Sequence, residues 1–333
     1  MNREYYQDTA FNSQKRYLLS PQNSEKNLLK KVLKSGDRKL PFSNPTNEIS
    51  TRVDTENKPG LIERLREIKP ELEPFWNHKE MVVERPSHWF QFYYIVSALG
   101  KASIWFALPI YLLVCMLGGL IHDSSFLKGF NAGFIPALKW VFLPSSFLWL
   151  QLELMDRGYW TPTWIMTSKK VFTLNRKTGM VTLYKGNGKV RYSHPLVEFD
   201  CVLVSMPSHQ GLMNYNLMLA HRYNGSMHGI PLSTLATPNE SVSEYYRIWN
   251  IILCYMDVSQ PLPDCLILEE SRHLDPVTAE YDKKVGRNPR YWRDMSEEEY
   301  KTSLEKIRQR QQGKPETGPA INIFLDELET ANS

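Results

Sequence analysis

Two apolar runs in the middle of the chain limit what it can fold into more than any other feature. Ser103–Ile121 (SIWFALPIYLLVCMLGGLI) is 19 residues without a charge. At ~1.5 Å rise per residue a helix of this length covers roughly 28 Å, close to the ~30 Å of a hydrocarbon core. Ten of its residues are Leu, Ile, Val or Phe, each favouring insertion by ~0.3–0.6 kcal/mol. Pro109 and the Gly118-Gly119 pair break a soluble helix more readily than one surrounded by lipid. Phe134–Leu152 (FIPALKWVFLPSSFLWLQL) has the same apolar content but includes Lys139. A central lysine costs ~2.5–3.5 kcal/mol, but this one lies near the end of the run and its ammonium can reach the interface. Summed gains of roughly 4 kcal/mol exceed the penalty.

From Ala102 to Met155 only Asp123, Lys128, Lys139 and Glu153 carry charge. The expected layout is a first membrane helix over 102–122, an external loop over 123–133 and a second helix over 134–155. Trp89, Phe90, Tyr93 and Tyr94 precede the first helix, and Tyr159, Trp160 and Trp164 follow the second. With Lys139, Trp89, Tyr93, Tyr94, Tyr159 and Trp160 form the expected set of interface anchors. The loop holds one basic residue, Lys128, whereas the outer flanks hold Arg85, Lys101, Arg157, Lys169 and Lys170. The positive-inside rule then places both termini in the cytoplasm. Glu153, at the end of the second helix, reads as an interfacial carboxylate or as a proton relay. Gly129-x-x-x-Gly133 falls mostly in the loop and argues little for helix pairing. No apolar core of a signal peptide stands near Met1, so the first membrane helix is expected to serve as the targeting signal.

The rest of the chain has ordinary soluble composition. Residues 1–57, broken by Pro21, Pro41 and Pro45, read as a largely disordered arm. Within it Ser24–Ser35 (SEKNLLKKVLKS) sets Leu28, Leu29, Val32 and Leu33 on one helical face among lysines. Such a helix docks on an anionic membrane or partner, or packs on the body. Residues 58–101 form an aromatic juxtamembrane segment that includes a short helix at Leu61–Ile68. After the second apolar run the period changes to two. Short strands are expected at Thr163–Thr167, Val171–Asn175, Met180–Tyr184 and Lys189–Ser193, and longer ones at Glu198–Met206, Met213–Tyr223 and Met227–Leu232. Turn signals such as Asn175–Gly179, Lys185–Gly188 and Asn224-Gly225 separate them. Thr237-Pro-Asn-Glu240 is a capping box that opens a helix of about 18 residues. Residues 261–333 are expected to be a linker, a charged helix opened by Ser296-Glu-Glu-Glu299 and running to about Gln311, and a tail whose Ile321–Leu325 cluster docks on a partner or packs back.

Seven short antiparallel strands followed by one apolar helix, over residues 159–260, resemble a pleckstrin-homology-like barrel closed by a C-terminal helix. The fold class is therefore expected to be a membrane α-helical hairpin plus an α+β soluble domain. A different all-β sandwich or barrel fits the same element order. Thr167-Ser-Lys-Lys-Val-Phe-Thr-Leu174, just after the second helix, resembles the opening of bacterial membrane-anchored versions of that fold. The whole layout is similar to an uncharacterised family of bacterial two-helix inner-membrane proteins associated with type VI secretion and toxin–immunity loci. The resemblance implies an inner-membrane location and a toxin or secretion component as protein partner.

Net charge is +4, and no segment is basic enough, nor carries a motif, to demand nucleic acid. Cys115, Cys201, Cys254 and Cys265 have no CxxC spacing, and three of them fall in a domain expected in the reducing cytoplasm, so disulfides are not expected. There is no phosphate-binding GxxxxGK[ST], no HExxH and no GxSxG. His221 and His228 flank Asn224-Gly225 and can face each other across a hairpin, but two histidines without a third ligand do not make a zinc site. His122-Asp123 and Ser208-His209 are isolated polar pairs. No catalytic residue, metal or cofactor is expected. The one conspicuous charge cluster is Lys169, Lys170, Arg176, Lys177, Lys185, Lys189 and Arg191, with no acidic residue from 169 to 191. Beside an anionic leaflet each such residue gains about 1 kcal/mol. The cluster rests on headgroups, receives an acidic partner, or only sets topology and solubility.

The leading expectation is a non-enzymatic, membrane-anchored binding or adaptor protein, with an immunity or accessory role through the resemblance. A membrane-boundary enzyme acting on lipid or envelope precursors needs clustered acids and histidines there, and the sequence offers only His88, Glu153 and Asp156. A transporter or channel subunit needs several copies, since two helices leave no pore within one chain.

Overall fold

The computed structural model describes residues 5–18, 37–45, 76–121, 126–157, 159, 168–207, 213–223, 228–235 and 242–325. The chain divides into two compact units, a helical one over Arg85–Lys169 and a discontinuous body over Met1–Glu84 and Lys170–Ser333.

The helical unit contains α1 (His88–Ala102), α2 (Leu108–Ile121), α3 (Phe126–Ala137) and α4 (Leu143–Asp156). Ser87 caps α1, its hydroxyl accepting the Phe90 N–H. A single π-helical turn, Ser103–Ala107, joins α1 to α2, and another, Leu138–Phe142, joins α3 to α4. The result is two continuous helices, of 33 residues (His88–Leu120) and 30 residues (Phe126–Met155), each long and apolar enough to cross a membrane. Both begin earlier than the expected bounds of 102–122 and 134–155, at His88 and Phe126, and α3 takes up most of the expected loop. Apolarity marks only the least polar stretch, whereas backbone hydrogen bonding carries a helix past it. Each π turn stands two residues before a proline, Pro109 or Pro144. The residue ahead of the proline donates its N–H five residues back, Leu108 to Ser103 O and Leu143 to Leu138 O. Proline lacks the N–H that would close the ordinary turn, and its ring presses on the carbonyl four residues earlier; the wider turn relieves both.

Small residues let these helices approach. A Cβ on Gly100 would stand 2.9 Å from Ser145 O, and one on Gly133 would stand 3.2 Å from Cys115 Sγ. Gly133 thus lies at a helix contact, inside α3 rather than in a loop. Tyr93 donates to Gln151 Oε1 at 2.6 Å, and Trp105 meets Trp149 edge to face at 6.1 Å. Most large apolar side chains point outward, among them Phe106, Ile110, Leu120, Trp140, Phe147 and Leu150.

The body is α+β. Its strands are β1 (Arg38–Leu40), β2 (Glu80–Pro86), β3 (Ser168–Asn175), β4 (Met180–Tyr184), β5 (Val190–Pro195), β6 (Phe199–Pro207), β7 (Met213–His221) and β8 (Ile230–Pro231). They form two four-stranded sheets, β1-β6-β7-β8 and β2-β3-β4-β5. Strands β3–β7 follow the expected runs closely and β8 keeps only Ile230–Pro231 of the expected Met227–Leu232, but the described strands do not close into a barrel. Each sheet also takes a strand from before the helical unit: β1, whose three residues (RKL) are too few to show a period, and β2 (EMVVERP), where Met81 and Val83 alternate inward. The expected strand Thr163–Thr167 lies outside the described residues, as do the helices proposed at Ser24–Ser35 and Leu61–Ile68.

Helix α5 (Val242–Met256) buries Tyr245, Ile248, Trp249, Ile252, Leu253 and Tyr255 in a core shared with both sheets, including Phe172, Leu174, Phe199, Leu203, Leu217 and Leu219. Trp249 donates to Pro41 O at 2.9 Å and Tyr255 to Asn77 O at 2.7 Å, so its polar atoms are satisfied where they are buried. Residues 5–18 and 37–45, within the segment expected to be disordered, are built into this body. Phe11, Leu40 and Phe42 join the core. Tyr17 N–H donates to Ile323 O at 2.8 Å, and Leu325 N–H returns to Tyr17 O at 3.1 Å. The Ile321–Leu325 cluster therefore packs on the body.

The expected linker after 260 is also folded. It carries α6 (Leu266–Glu269), α7 (Pro276–Val285) and α8 (Glu297–Gln311), the last opened by the Ser296–Glu299 capping box. Arg272 grips Asp282 and the Leu262 and Pro263 carbonyls, and Arg287 grips Asp264 and Glu269.

Candidate functional site

The sheet register divides the basic cluster. Phe172 pairs with Leu183 and Leu174 with Val181, so the start of β3 and the β4–β5 turn share one end of the sheet. Lys169, Lys170, Lys185, Lys189 and Arg191 gather there, all exposed. The turn closes through Lys185 N–H to Lys189 O at 2.8 Å, with Gly188 at φ +80° supplying the left-handed residue. Lys170 reaches Glu80 at 3.8 Å, and Arg191 lies 3.1 Å from His228 Nε2. The β3–β4 turn, with Arg176 and Lys177, is at the opposite end. Lys177 places its ammonium 5.1 Å from the Tyr5 ring.

Arg176 does not belong to a surface cluster at all. Its side chain is 0 % exposed. It donates to both Asp275 oxygens (3.0 and 3.2 Å) and to the carbonyls of Tyr255 (2.6 Å), Asp257 (2.9 Å) and Gln260 (2.7 Å). Burial works against its charge, but Asp275 outweighs burial and pushes its pKa further up. Burial alone would likewise raise the Asp275 carboxyl; the Arg176 guanidinium, with hydrogen bonds from Thr278 and Tyr6, holds it below its ordinary value. This is a structural joint. The sequence places Arg176 beside Lys177 in a basic run and gives no sign of a partner 99 residues away.

A second cluster was not legible in the sequence. His194 near the end of β5, Glu198 in the short 3₁₀ turn that follows, and His221 at the end of β7 converge. Glu198 Oε2 lies 3.0 Å from His194 Nδ1 and 3.1 Å from His221 Nε2. One potential ligand atom from each residue falls within 4.8 Å of the other two. The His194 and His221 rings meet edge to face at 4.6 Å, and Phe199 stands against both. Burial lowers the His221 pKa, against the pull of its hydrogen bond with Glu198, which favours the neutral imidazole. The partner anticipated for His221 was His228. Its imidazole instead lies beside Arg191, and its carbonyl accepts the Tyr192 hydroxyl. The signal that could have found the trio is His194-Pro-Leu-Val-Glu198, a histidine and a carboxylate bracketing a proline turn between two strands.

No family model, curated protein or solved structure matches the chain.

Of the expected interface anchors, Trp89 is 78 % and Tyr159 77 % exposed, and Tyr94 is exposed as well. Tyr93 is tied to Gln151, and Lys139 stacks over the Trp140 ring at 5.7 Å. Trp160 lies outside the described residues, as do His122-Asp123 and Ser208-His209. Glu153 pairs with Arg157 at 2.8 Å and lies 3.9 Å from Lys101. That pairing fits a charge-balanced helix end and not a free proton carrier.

Proposed function

We propose that this protein is a non-enzymatic binding module anchored in a bacterial inner membrane by its two long helices. The observation that carries the reading is the outward apolar surface of those helices. Trp105, Phe106, Ile110, Leu113, Leu117 and Leu120 on one, and Ile135, Trp140, Leu143, Phe147 and Leu150 on the other, are all exposed. A water-facing protein rarely leaves a continuous apolar surface of that extent uncovered, while lipid covers it without cost.

Chain connectivity supports two crossings. The body hands the chain to the helices after β2 and receives it back at β3, and these strands are neighbours in one sheet. Both flanks belong to one folded body, so an even number of crossings is required. The basic flanks favour the cytoplasmic side for that body. Two sheets of four strands with one apolar helix in their shared core support keeping the pleckstrin-homology-like reading, in an open form whose edges are supplied by β1 and β2.

The body then acts as the recruiting part. Its exposed basic end, Lys170, Lys185, Lys189 and Arg191, presents four cations for an acidic protein surface. By the resemblance above, that partner is a toxin or a component of its export machinery, and the role is immunity or accessory. Membrane insertion is tested by washing membranes at alkaline pH: the chain stays in the pellet, and release into the supernatant overturns the reading. Recruitment is tested by affinity capture of the full chain in mild detergent. A partner is retained by the native chain and lost on reversing Lys185, Lys189 and Arg191 to glutamate; equal retention by both sinks the assignment of that end.

A further inference from the structure

We infer that His194, Glu198 and His221 form a binding site for a divalent transition metal, zinc above all. This is independent of the membrane reading and stands if that reading fails.

The argument begins with the donor set. Two imidazole nitrogens and one carboxylate oxygen are a ligand set that zinc uses with one position left to solvent. Hard cations such as magnesium and calcium prefer all-oxygen shells. Among first-row metals at a mixed nitrogen and oxygen site, affinity for zinc exceeds that for manganese or iron.

Spacing comes next. With metal–ligand bonds of roughly 2.0–2.2 Å, tetrahedral ligand atoms stand about 3.4 Å apart. The two contacts of Glu198 Oε2, 3.0 and 3.1 Å, need to open by only a few tenths of an ångström. The three residues are held by backbone that is already fixed. His194 pairs with Val181 in one sheet, His221 pairs with Phe199 in the other, and Glu198 accepts the Arg222 N–H through its carbonyl at 2.8 Å. Phe199, itself fully buried, packs against both imidazoles and limits their rotation. His221 is 7 % exposed, while His194 and Glu198 are about one-third exposed, so a metal has a route in and a water has room to complete the shell.

The proton inventory is consistent with binding. His221 Nδ1 accepts the Tyr223 N–H at 3.3 Å, so its proton sits on Nε2 and points to Glu198. His194 likewise directs its Nδ1 proton to the same oxygen. Metal binding moves each proton to the other ring nitrogen, with no net change of charge on the rings. It sacrifices the 3.3 Å contact from Tyr223, the longest hydrogen bond in the cluster. A metal here would clip β5 of one sheet to β7 of the other, at the corner where the chain passes between them. The described cysteines are all free, so no disulfide performs that task among the described residues.

The test uses the full chain in detergent, stripped with a chelator and titrated with zinc alone against a competing indicator. One zinc per chain is expected, with an upward shift in thermal midpoint. Glu198→Gln, which keeps the size of the side chain, and His194→Asn, whose amide N–H can replace the Nδ1 donor, each weaken binding at least tenfold and abolish the shift. His221→Ala, at a buried position, can unfold the corner, so these two milder variants carry the test. His228→Ala leaves affinity unchanged. Absence of zinc binding, native affinity in both milder variants, or loss of binding in His228→Ala instead, overturns the site.

Discussion

At the scale of single residues, Arg176 has more at stake than any other cation in the described body. It is buried among four carbonyls and one carboxylate, and Asp275 also accepts from Thr278 and Tyr6. Removing one partner of a buried pair strands the other. Arg176→Met is therefore expected to cost about 3–5 kcal/mol, read as a lower midpoint in denaturant. Lys185→Ala, on the exposed turn, should move the midpoint by less than ~0.5 kcal/mol. Arg176→Lys does not rescue, because one ammonium cannot reproduce a planar fork of donors.

The same joint sets an acid dependence. Asp275 is held below its ordinary value, 3.8, in the folded chain. The unfolded chain therefore binds the proton first as pH falls. The stabilisation is complete above that ordinary value and fades as pH drops through it toward the folded one. Asp275→Asn should be less stable at neutral pH yet show a shallower decline as pH falls below Asp275's ordinary value; thermal melts over that fall check it, and an unchanged slope refutes it.

Among secondary-structure elements, the readable ones announced themselves locally. Both long helices were written as apolar runs. The β3–β4 and β4–β5 turns were written as Gly179 and Gly188, which adopt φ of +72° and +80°, and α8 was written as its capping box. What could not be read was anything that depended on a distant segment: strand β1 as the edge beside β6, residues 5–18 as a strap, and the meeting of His194 with His221. Gly179 belongs to both classes. A Cβ there would fall 2.1 Å from Thr9 O, so the turn glycine also makes room for the strap. Gly179→Ala should cost more than the ~1 kcal/mol usual for a left-handed turn and increase protease cleavage near residue 10; cleavage at the native rate would show that the strap does not depend on it. The helices hold a parallel that was also missed. Trp105-Phe-Ala-Leu-Pro109 and Trp140-Val-Phe-Leu-Pro144 share tryptophan, leucine and proline at matching places, and each sets a π turn. Gly100→Val, pressed against Ser145 O, should push the helices apart and lower the thermal midpoint in detergent by several degrees.

For the molecule as a whole, the helical unit is an insertion within a discontinuous body. A fragment that begins after the helices lacks β1, β2 and the strap, and so lacks Phe11, Leu40, Phe42 and Met81 from the core. A construction starting at residue 159 is expected to be aggregated or unfolded by circular dichroism, while joining 1–84 to 170–333 through a short flexible linker should restore a cooperative melt. A folded 159–333 fragment would contradict the division.

Residues 17 and 323 are hydrogen-bonded neighbours, and that has a consequence for biosynthesis. Some 300 residues separate the strap from its mate, and both long helices lie between them. During synthesis the body cannot close until residue 323 has emerged, so both long apolar helices leave the ribosome while their flanks are still unpaired. Strands β1 and β2 therefore wait without their sheet neighbours β6 and β3 until the later part of the chain arrives.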